Sequence, residues 1–246
     1  MKRIAILAFS AIAYVVFLAT FVYLIAFLSG LAIVPYDVDQ GGSARPALAA
    51  AAIDLVLILI FAVQHSSMAR PWFKRWWTRL VPSAVERSAY VLAASLALIL
   101  LFAGWHPIPG IVWTTSGVIA AMLWALFAAG WLLVLVSTFL ISHFELFGLK
   151  QAWNHWCDRI EASPTFYTPW LYRLVRHPLY LGFFLAFWAI PTMTLGHLLL
   201  ATGMSAFMLV AIQFEERDLI ATFGEVYVRY RRRTGMLLPR LFQRGA

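Results

Sequence analysis

Five long apolar runs, separated by short polar segments, dominate the pattern along the chain. They cover residues 4–34, 47–63, 90–104, 117–141 and 179–214. A helix needs about 20 predominantly apolar residues to cross a bilayer, because every peptide group must find its hydrogen bond inside the segment. Each of the first four runs is therefore predicted to be one membrane-spanning helix.

The last run, over 179–214, is longer than one span requires. Pro191 and Gly196 lie near its middle, where they favour a turn. The run is therefore predicted to form two short helices joined by a tight turn, a helical hairpin that ends on the side of the membrane where it began. Five spans remain the alternative if this hairpin enters and leaves the membrane without crossing it.

Basic residues alternate between the loops in a way that predicts orientation. Lys and Arg are retained in the cytoplasm. Lys2 and Arg3 precede the first run, and clusters of Lys and Arg follow the second run, the fourth run and the hairpin, whereas the loop after the first run has only Arg45 and that after the third has none. This predicts an all-α, polytopic integral membrane protein of about six transmembrane helices, with both termini cytoplasmic, in the bacterial inner (cytoplasmic) membrane. Residues 1–246 are predicted to form a single transmembrane domain.

The composition supports a chain that is solvated by lipid. Apolar residues make up 63% of the sequence and charged residues 12%, whereas soluble domains have about 45–50% and about 25%. The net charge of +8 comes from short clusters between apolar runs, which suit anionic headgroups, so the expected partner is the lipid bilayer and no nucleic acid is expected. A single cysteine, Cys157, excludes an internal disulfide framework and a CxxC site.

The sequence contains six histidines, which raises the question of a metal or haem site. His65 and His143 are predicted near the cytoplasmic ends of separate helices, where they could supply two axial ligands to a haem. The sequence has no HExxH pattern and no histidine pair at i and i+4. No metal is therefore expected, and haem is kept as an alternative.

Polar residues gather at both ends of the last apolar run. Arg176 and His177 precede it and Glu215 and Glu216 follow it, so a closed hairpin brings them together. Pro178 suits the first turn of a helix, whose free N–H groups can receive a carboxylate or phosphate. A ligand that carries both charges is therefore predicted here. Alternatively, these residues are interfacial charges that cap helices and reach headgroups.

Two motifs carry a resemblance to a known family. RHPLYLG at 176–182 and FEERDLIATFGEVYVRYRRRTGMLLP at 214–239 resemble the isoprenylcysteine carboxyl methyltransferase and phospholipid methyltransferase superfamily of integral membrane enzymes. The resemblance implies S-adenosylmethionine bound at the cytoplasmic end of the hairpin, within about residues 142–240. Residues at the following positions are implied to bind this cofactor: His177, Tyr180, Glu215, Glu216, Tyr227, Arg229 and Tyr230. The chain departs from the family's usual Val-Pro before the final proline, with Thr234 and Gly235 ahead of Pro239.

Upstream blocks resemble a narrower branch of this superfamily. QHSSMARPWFKRWW, VPSAVERSAYVL and SHFELFGLKQAW look like segments of bacterial methanethiol S-methyltransferases and of membrane proteins associated with nitrite and nitric oxide reduction. The resemblance implies methylation of a small thiol, methanethiol, to dimethyl sulfide. Alternatives are an isoprenylcysteine carboxyl or phospholipid methyltransferase, an NADPH-dependent reductase of the sterol reductase type, and a non-enzymatic accessory protein of the nitrogen-oxide branch.

Methyl transfer to a thiol needs few catalytic groups. The protein must align the thiolate, the methyl group and the leaving sulfur while it excludes water. Because a simple alkyl thiol is mostly protonated at neutral pH, a base or a positive field should help. His177 or His143 is the predicted base, and Arg176 is predicted to supply positive potential.

Overall fold

The computed structural model describes residues 2–43, 45–159 and 165–240. Its long elements are all helices. The elements in chain order are α1 (Lys2–Ser29), α2 (Ala47–Ala69), α3 (Pro71–Trp77), α4 (Ser83–Gly104), β1 (Ile111–Thr114), α5 (Gly117–Ile141), α6 (His143–Leu146), α7 (Leu149–Trp156), α8 (Leu171–Leu174), α9 (Pro178–Trp188), β2 (Thr192–Thr194), α10 (Leu195–Phe223) and α11 (Glu225–Arg233).

Five of the described helices are long and apolar enough to cross a membrane, namely α1, α2, α4, α5 and α10. The first of these contains the first apolar run as far as Ser29, and the next three contain the next three runs in full, which confirms that each run forms a helix long enough to span a membrane. α9 is also apolar but has only 11 residues, fewer than the roughly 20 that a helical span needs.

The last apolar run differs from the predicted pair of short helices. α10 has 29 residues and continues past Phe214, because the polar segment that follows is built of helix-compatible residues until Gly224. The connection after α9 contains β2, which pairs antiparallel with β1. The all-α prediction therefore misses a small two-stranded sheet, since strands this short leave no periodic signal in the sequence.

The chain divides into two compact units, neither of which is continuous in sequence. Unit one consists of Met1–Thr115, His143–Ala162 and Thr192–Met204, and unit two of Ser116–Ser142, Ser163–Pro191 and Ser205–Ala246. The predicted cofactor-binding part, about residues 142–240, therefore contributes to both units. That the whole chain acts as one domain stays a prediction.

Unit one packs α1, α2 and α7 around α4. Small polar side chains join these helices inside the packed interface: the Ser88 hydroxyl of α4 donates to the Ser10 hydroxyl of α1 at 2.8 Å. Gly148, at the start of α7, meets the same serine, because a Cβ at this glycine would lie 2.7 Å from the Ser88 backbone nitrogen. Arg87 of α4 donates to the carbonyl of Leu146 at 2.7 Å, which holds α6 beside α4.

Loops at the opposite end of these helices form a hydrogen-bonded cap. Trp105 is buried at 1% exposure, and its indole N–H donates to the Val38 carbonyl at 3.0 Å. The Thr194 hydroxyl of β2 donates to the Asp39 carboxylate at 2.5 Å. These bonds tie the loop after α1 to the loop after α4 and to β2.

Unit two is built on the close crossing of α5 and α9. A Cβ on Gly182 would lie 2.7 Å from the Gly130 carbonyl oxygen, and one on Gly130 would lie 2.7 Å from the Gly182 carbonyl oxygen. Small residues allow such backbone approach where lipid surrounds the helices. The indole of Trp188 donates to the Ser205 hydroxyl at 2.9 Å, so the end of α9 lies against α10.

Candidate active site

Backbone hydrogen bonds fix the segment that precedes α9. The Arg176 N–H donates to the Gly235 carbonyl at 2.8 Å, and the His177 N–H donates to the Met236 carbonyl at 3.1 Å. Pro178 then begins α9 in its first turn, where the missing proline N–H costs no helical hydrogen bond. The side chains of Arg176 and His177 are therefore presented from a backbone that the tail of the chain holds in place.

Glu216 of α10 lies at the centre of a buried ion network and is 3% exposed. Its Oε1 accepts from Arg176 Nε at 2.6 Å and from His177 Nε2 at 3.1 Å. Its Oε2 lies 3.0 Å from Arg231 Nε of α11. Arg176 also donates through Nη1 to the Thr234 carbonyl. The two ends of the last apolar run thus meet, as the sequence predicted.

The ion network holds its own side chains in place. Removing a charge from water costs several kcal/mol per ion unless partners satisfy it, and here both oxygens of Glu216 are occupied by protein donors. Because a carboxylate only accepts, His177 Nε2 carries a proton, and a neutral His177 ring keeps its lone pair on Nδ1. Contact of Glu216 with a cofactor stays a prediction.

Aromatic side chains surround one side of this network. The Phe166 ring lies 5.8 Å from the Tyr227 ring and 5.3 Å from the Tyr230 ring, centroid to centroid. The Tyr230 hydroxyl donates to the Tyr172 carbonyl. Burial raises the pKa of Tyr172 and of Tyr227 above the ordinary value, and raises the pKa of Tyr230 to about 12. These phenols are therefore neutral hydrogen-bond donors at physiological pH.

Among the described residues of this region, one buried polar group has no hydrogen-bond partner and one carboxylate has no ion-pair partner. The Tyr227 hydroxyl is buried and makes no hydrogen bond, although the residue is only 2% exposed. Glu215, next to the ion network, is half-buried and takes part in no described ion pair. A buried donor without an acceptor is costly, at about 1–3 kcal/mol, which points to a polar ligand atom at this position.

The remaining residues of the predicted cofactor set lie in different surroundings. The Tyr180 ring packs edge-on against His177, with 5.6 Å between the centroids. Arg229 of α11 is exposed and has no contact with the ion network among the described residues. The structure therefore brings together Arg176, His177, Tyr180, Glu216, Tyr227 and Tyr230, with Glu215 adjacent in the chain, and leaves Arg229 on the surface of its helix.

His143, the alternative base, belongs to unit one and begins α6. It is buried at 5% exposure, and its Nε2 lies 2.8 Å from the Tyr14 hydroxyl of α1. The Phe147 ring lies 4.8 Å from the imidazole, centroid to centroid. Burial lowers the pKa of His143, so the ring is neutral at physiological pH and can accept a proton.

His65, the other residue of the haem alternative, has a similar environment. Its Nε2 lies 2.8 Å from the Tyr90 hydroxyl, so both histidines are engaged by tyrosines of neighbouring helices. Within the described ranges, no group of three or more His, Cys, Asp or Glu side chains is arranged to hold a metal ion.

Sequence reasoning missed Arg231 and Thr234 as members of the site. Arg231 lies four positions after Tyr227 on α11, and residues at i and i+4 share one face of a helix. That spacing could have identified Arg231. No sequence signal identifies the Thr234 carbonyl, since any residue supplies one.

Known proteins resemble the chain over almost its full length. It is 50% identical over 242 residues to methanethiol S-methyltransferase 2 of Bradyrhizobium diazoefficiens, across 98% of this chain and 93% of that protein. It is 51% identical over 242 residues to the methanethiol S-methyltransferase of Mycobacterium tuberculosis, across 97% and 98%. Nurim of Homo sapiens is 32% identical over 197 residues, across 74% of each chain. No family model and no solved structure matches.

These matches cover 97–98% of the chain and so include the apolar helices as well as the two motifs that meet at Glu216. The chain is thus an integral membrane protein that belongs to the methanethiol S-methyltransferase family of enzymes.

Proposed function

We propose that this chain transfers the methyl group of S-adenosylmethionine to methanethiol, with dimethyl sulfide and S-adenosylhomocysteine as products. Relatives at about half identity carry the name methanethiol S-methyltransferase. The observation that carries the proposal is the contact of Arg176 and His177 with Glu216, because it joins two motifs that lie 40 positions apart at one site.

The described residues fit S-adenosylmethionine in this place. The orphaned Tyr227 hydroxyl offers a donor and the Glu215 carboxylate an acceptor, which suits a ligand with a carboxylate, an ammonium group and ribose hydroxyls. When bound, the cofactor supplies an electrophilic methyl group on a sulfonium sulfur. The proposed cofactor-binding residues are His177, Tyr180, Glu215, Glu216, Tyr227, Arg229 and Tyr230.

The chain's own residues must hold the thiol and take its proton. The thiolate is the competent nucleophile. His177 presents its lone pair at Nδ1 while Glu216 holds Nε2, which makes Nδ1 a suitable proton acceptor. His143, which burial keeps neutral, is the second candidate base. The Arg176 guanidinium contributes positive potential, which favours the thiolate.

The catalytic part of this proposal has its own test. His177→Gln and His143→Gln are each compared with wild type in rate against pH, with the exposed His155→Gln as the matched control. If one variant loses the increase of rate with rising pH that wild type shows, the replaced histidine is the base. Unchanged profiles in both variants would overturn the assignment.

We further propose that the chain crosses the inner membrane of a bacterium six times, with both termini in the cytoplasm. α9, with 11 residues, is about 16 Å long as a helix, and the six residues from 189 to 194 can add about 20 Å in extended form. Together they can cross a hydrocarbon core of about 30 Å. A tag fused to the C-terminus that is labelled from the periplasm of intact cells would contradict this topology.

Substrate identity can be tested directly on membranes that contain the protein. They are incubated with methyl-labelled S-adenosylmethionine and, separately, methanethiol, an isoprenylcysteine and phosphatidylethanolamine, and the volatile and lipid products are identified. We expect labelled dimethyl sulfide in the methanethiol sample alone. Labelled lipid or labelled isoprenylcysteine ester would identify that compound, and not methanethiol, as the methyl acceptor. The absence of any labelled product would favour a non-enzymatic protein.

A further inference from the structure

A cavity of about 360 Å³ in unit two is lined by four arginines and one valine. Its lining residues are Arg176, Val228, Arg231, Arg232 and Arg240. Two of them, Arg176 and Arg231, also hold Glu216. The cavity therefore adjoins the ion network. It is lined by the segment before α9, by α11 and by the chain that follows α11.

The positive charge of this cavity exceeds the negative charge available to it. Glu216 is the one carboxylate that pairs with its lining arginines among the residues that the structure describes. Arg240 donates to the backbone carbonyl of Arg232, which satisfies a donor but neutralises no charge. Four guanidinium groups against one carboxylate leave an excess of three positive charges.

This excess of positive charge favours an anionic ligand. Guanidinium groups match the oxygens of a phosphate with paired N–H donors and are less hydrated than ammonium groups, so they suit phosphate recognition. Here Arg176 is buried, whereas Arg231, Arg232 and Arg240 are exposed and reachable from solvent. A sulfonium cation would be repelled by the same charges. The cavity, which shares Arg176 and Arg231 with the ion network, therefore suits an anion rather than the sulfonium of the methyl donor.

The position of α11 adds a source for that phosphate. The helix follows the apolar α10 directly, buries Tyr227 and carries three arginines in its last turn. A short basic helix at the end of an apolar one is placed to meet anionic headgroups, which attract basic side chains near the membrane surface.

We propose that the arginine cavity is a binding site for a phosphate group, carried either by an anionic phospholipid headgroup or by a free phosphate. Occupation adds the missing negative charge between Arg176, Arg231, Arg232 and Arg240. Since two of these side chains also hold Glu216, the occupied cavity stabilises the ion network. This inference does not depend on the methyl acceptor or on turnover.

The test uses the purified full chain in nanodiscs of phosphatidylcholine alone or with phosphatidylglycerol, and in detergent with inorganic phosphate. Thermal unfolding is followed by tryptophan fluorescence, and bound lipid is counted by native mass spectrometry. The variants are Arg232→Gln, Arg240→Gln and the double variant. Arg233→Gln is the matched control, because it removes the same charge from an exposed position on α11 that does not line the cavity.

Phosphatidylglycerol should raise the unfolding temperature of wild type and of Arg233→Gln alike. The double variant should lose most of that rise and bind the lipid at least tenfold more weakly. A rise with inorganic phosphate alone, lost in the double variant, would assign the site to free phosphate. An equal response of wild type and double variant to both ligands would overturn the proposal, and so would competition between phosphate and S-adenosylmethionine for one site.

Discussion

Replacing Glu216 by Gln tests the ion network most directly. The substitution keeps the size and one oxygen acceptor of the side chain but removes its charge. Arg176 Nε lies 2.6 Å from Glu216 Oε1, and the two side chains are 7% and 4% exposed. The variant therefore leaves a buried guanidinium without its carboxylate partner, held only by neutral oxygens that include two backbone carbonyls.

The expected loss of stability follows from these exposures. Breaking a buried ion pair by removing one partner costs about 3–5 kcal/mol. The Arg231 side chain is 47% exposed, so its pair with Glu216 adds less than about 1 kcal/mol. We expect Glu216→Gln to lower the free energy of unfolding by about 3–5 kcal/mol, nearly all of it through Arg176.

Unfolding by sodium dodecyl sulfate in mixed micelles, followed by tryptophan fluorescence, measures this free energy. Glu215→Gln is the control. It removes the same charge at the neighbouring position, where the carboxylate takes part in no described ion pair. That control should stay within about 0.5 kcal/mol of wild type. A loss below about 1 kcal/mol in Glu216→Gln, or an equal loss in the control, would refute the buried-pair reasoning.

The remaining predictions concern the tyrosines, the helix crossing and pH. Tyr227→Phe should raise the KM for S-adenosylmethionine without lowering stability, because the lost hydroxyl has no described protein partner. Tyr230→Phe should lower the free energy of unfolding by about 1 kcal/mol, because it removes a hydrogen bond. Initial rates and calorimetric unfolding of both variants check this. Gly182→Ala should destabilise by about 1–3 kcal/mol, because its Cβ would meet the backbone of α5. Gly203→Ala, whose Cβ would meet only side-chain carbons of Ile58, should stay within about 1 kcal/mol in the same unfolding assay. Burial lowers the pKa of His143, so its contribution to stability should be complete above about pH 6.5 and decline as the pH falls further. The free energy of unfolding, measured from about pH 7.5 to 5, should therefore depend less on pH in His143→Gln than in wild type. Equal slopes in the two proteins would contradict this.

The apolar pattern predicted most of the helices because lipid imposes a simple rule on sequence. A run such as 117–141 must satisfy its backbone internally, so composition and length suffice to assign α5. The same pattern could not predict where α10 ends, since helix-compatible polar residues after Phe214 leave no boundary before Gly224. It also could not show that Trp105 is buried, because that depends on the loop containing Val38.

The candidate site was predictable only in part. Charged residues at both ends of one apolar run placed Arg176, His177 and Glu216 together, and the structure confirms that contact. Their specific partners depend on how α11 folds back, which brings in Arg231 and the Thr234 carbonyl. Such long-range contacts carry no local signal in a single sequence.

The backbone bonds from Arg176 and His177 to Gly235 and Met236 set an order of assembly during synthesis. Arg176 reaches the Thr234 carbonyl across 58 positions of sequence, so the ribosome must synthesise and release the chain past Thr234 before those partners exist. Apolar helices can enter the membrane earlier, one after another, and associate afterwards. A nascent protein stopped short of Thr234 would thus be inserted yet unable to complete its ion network.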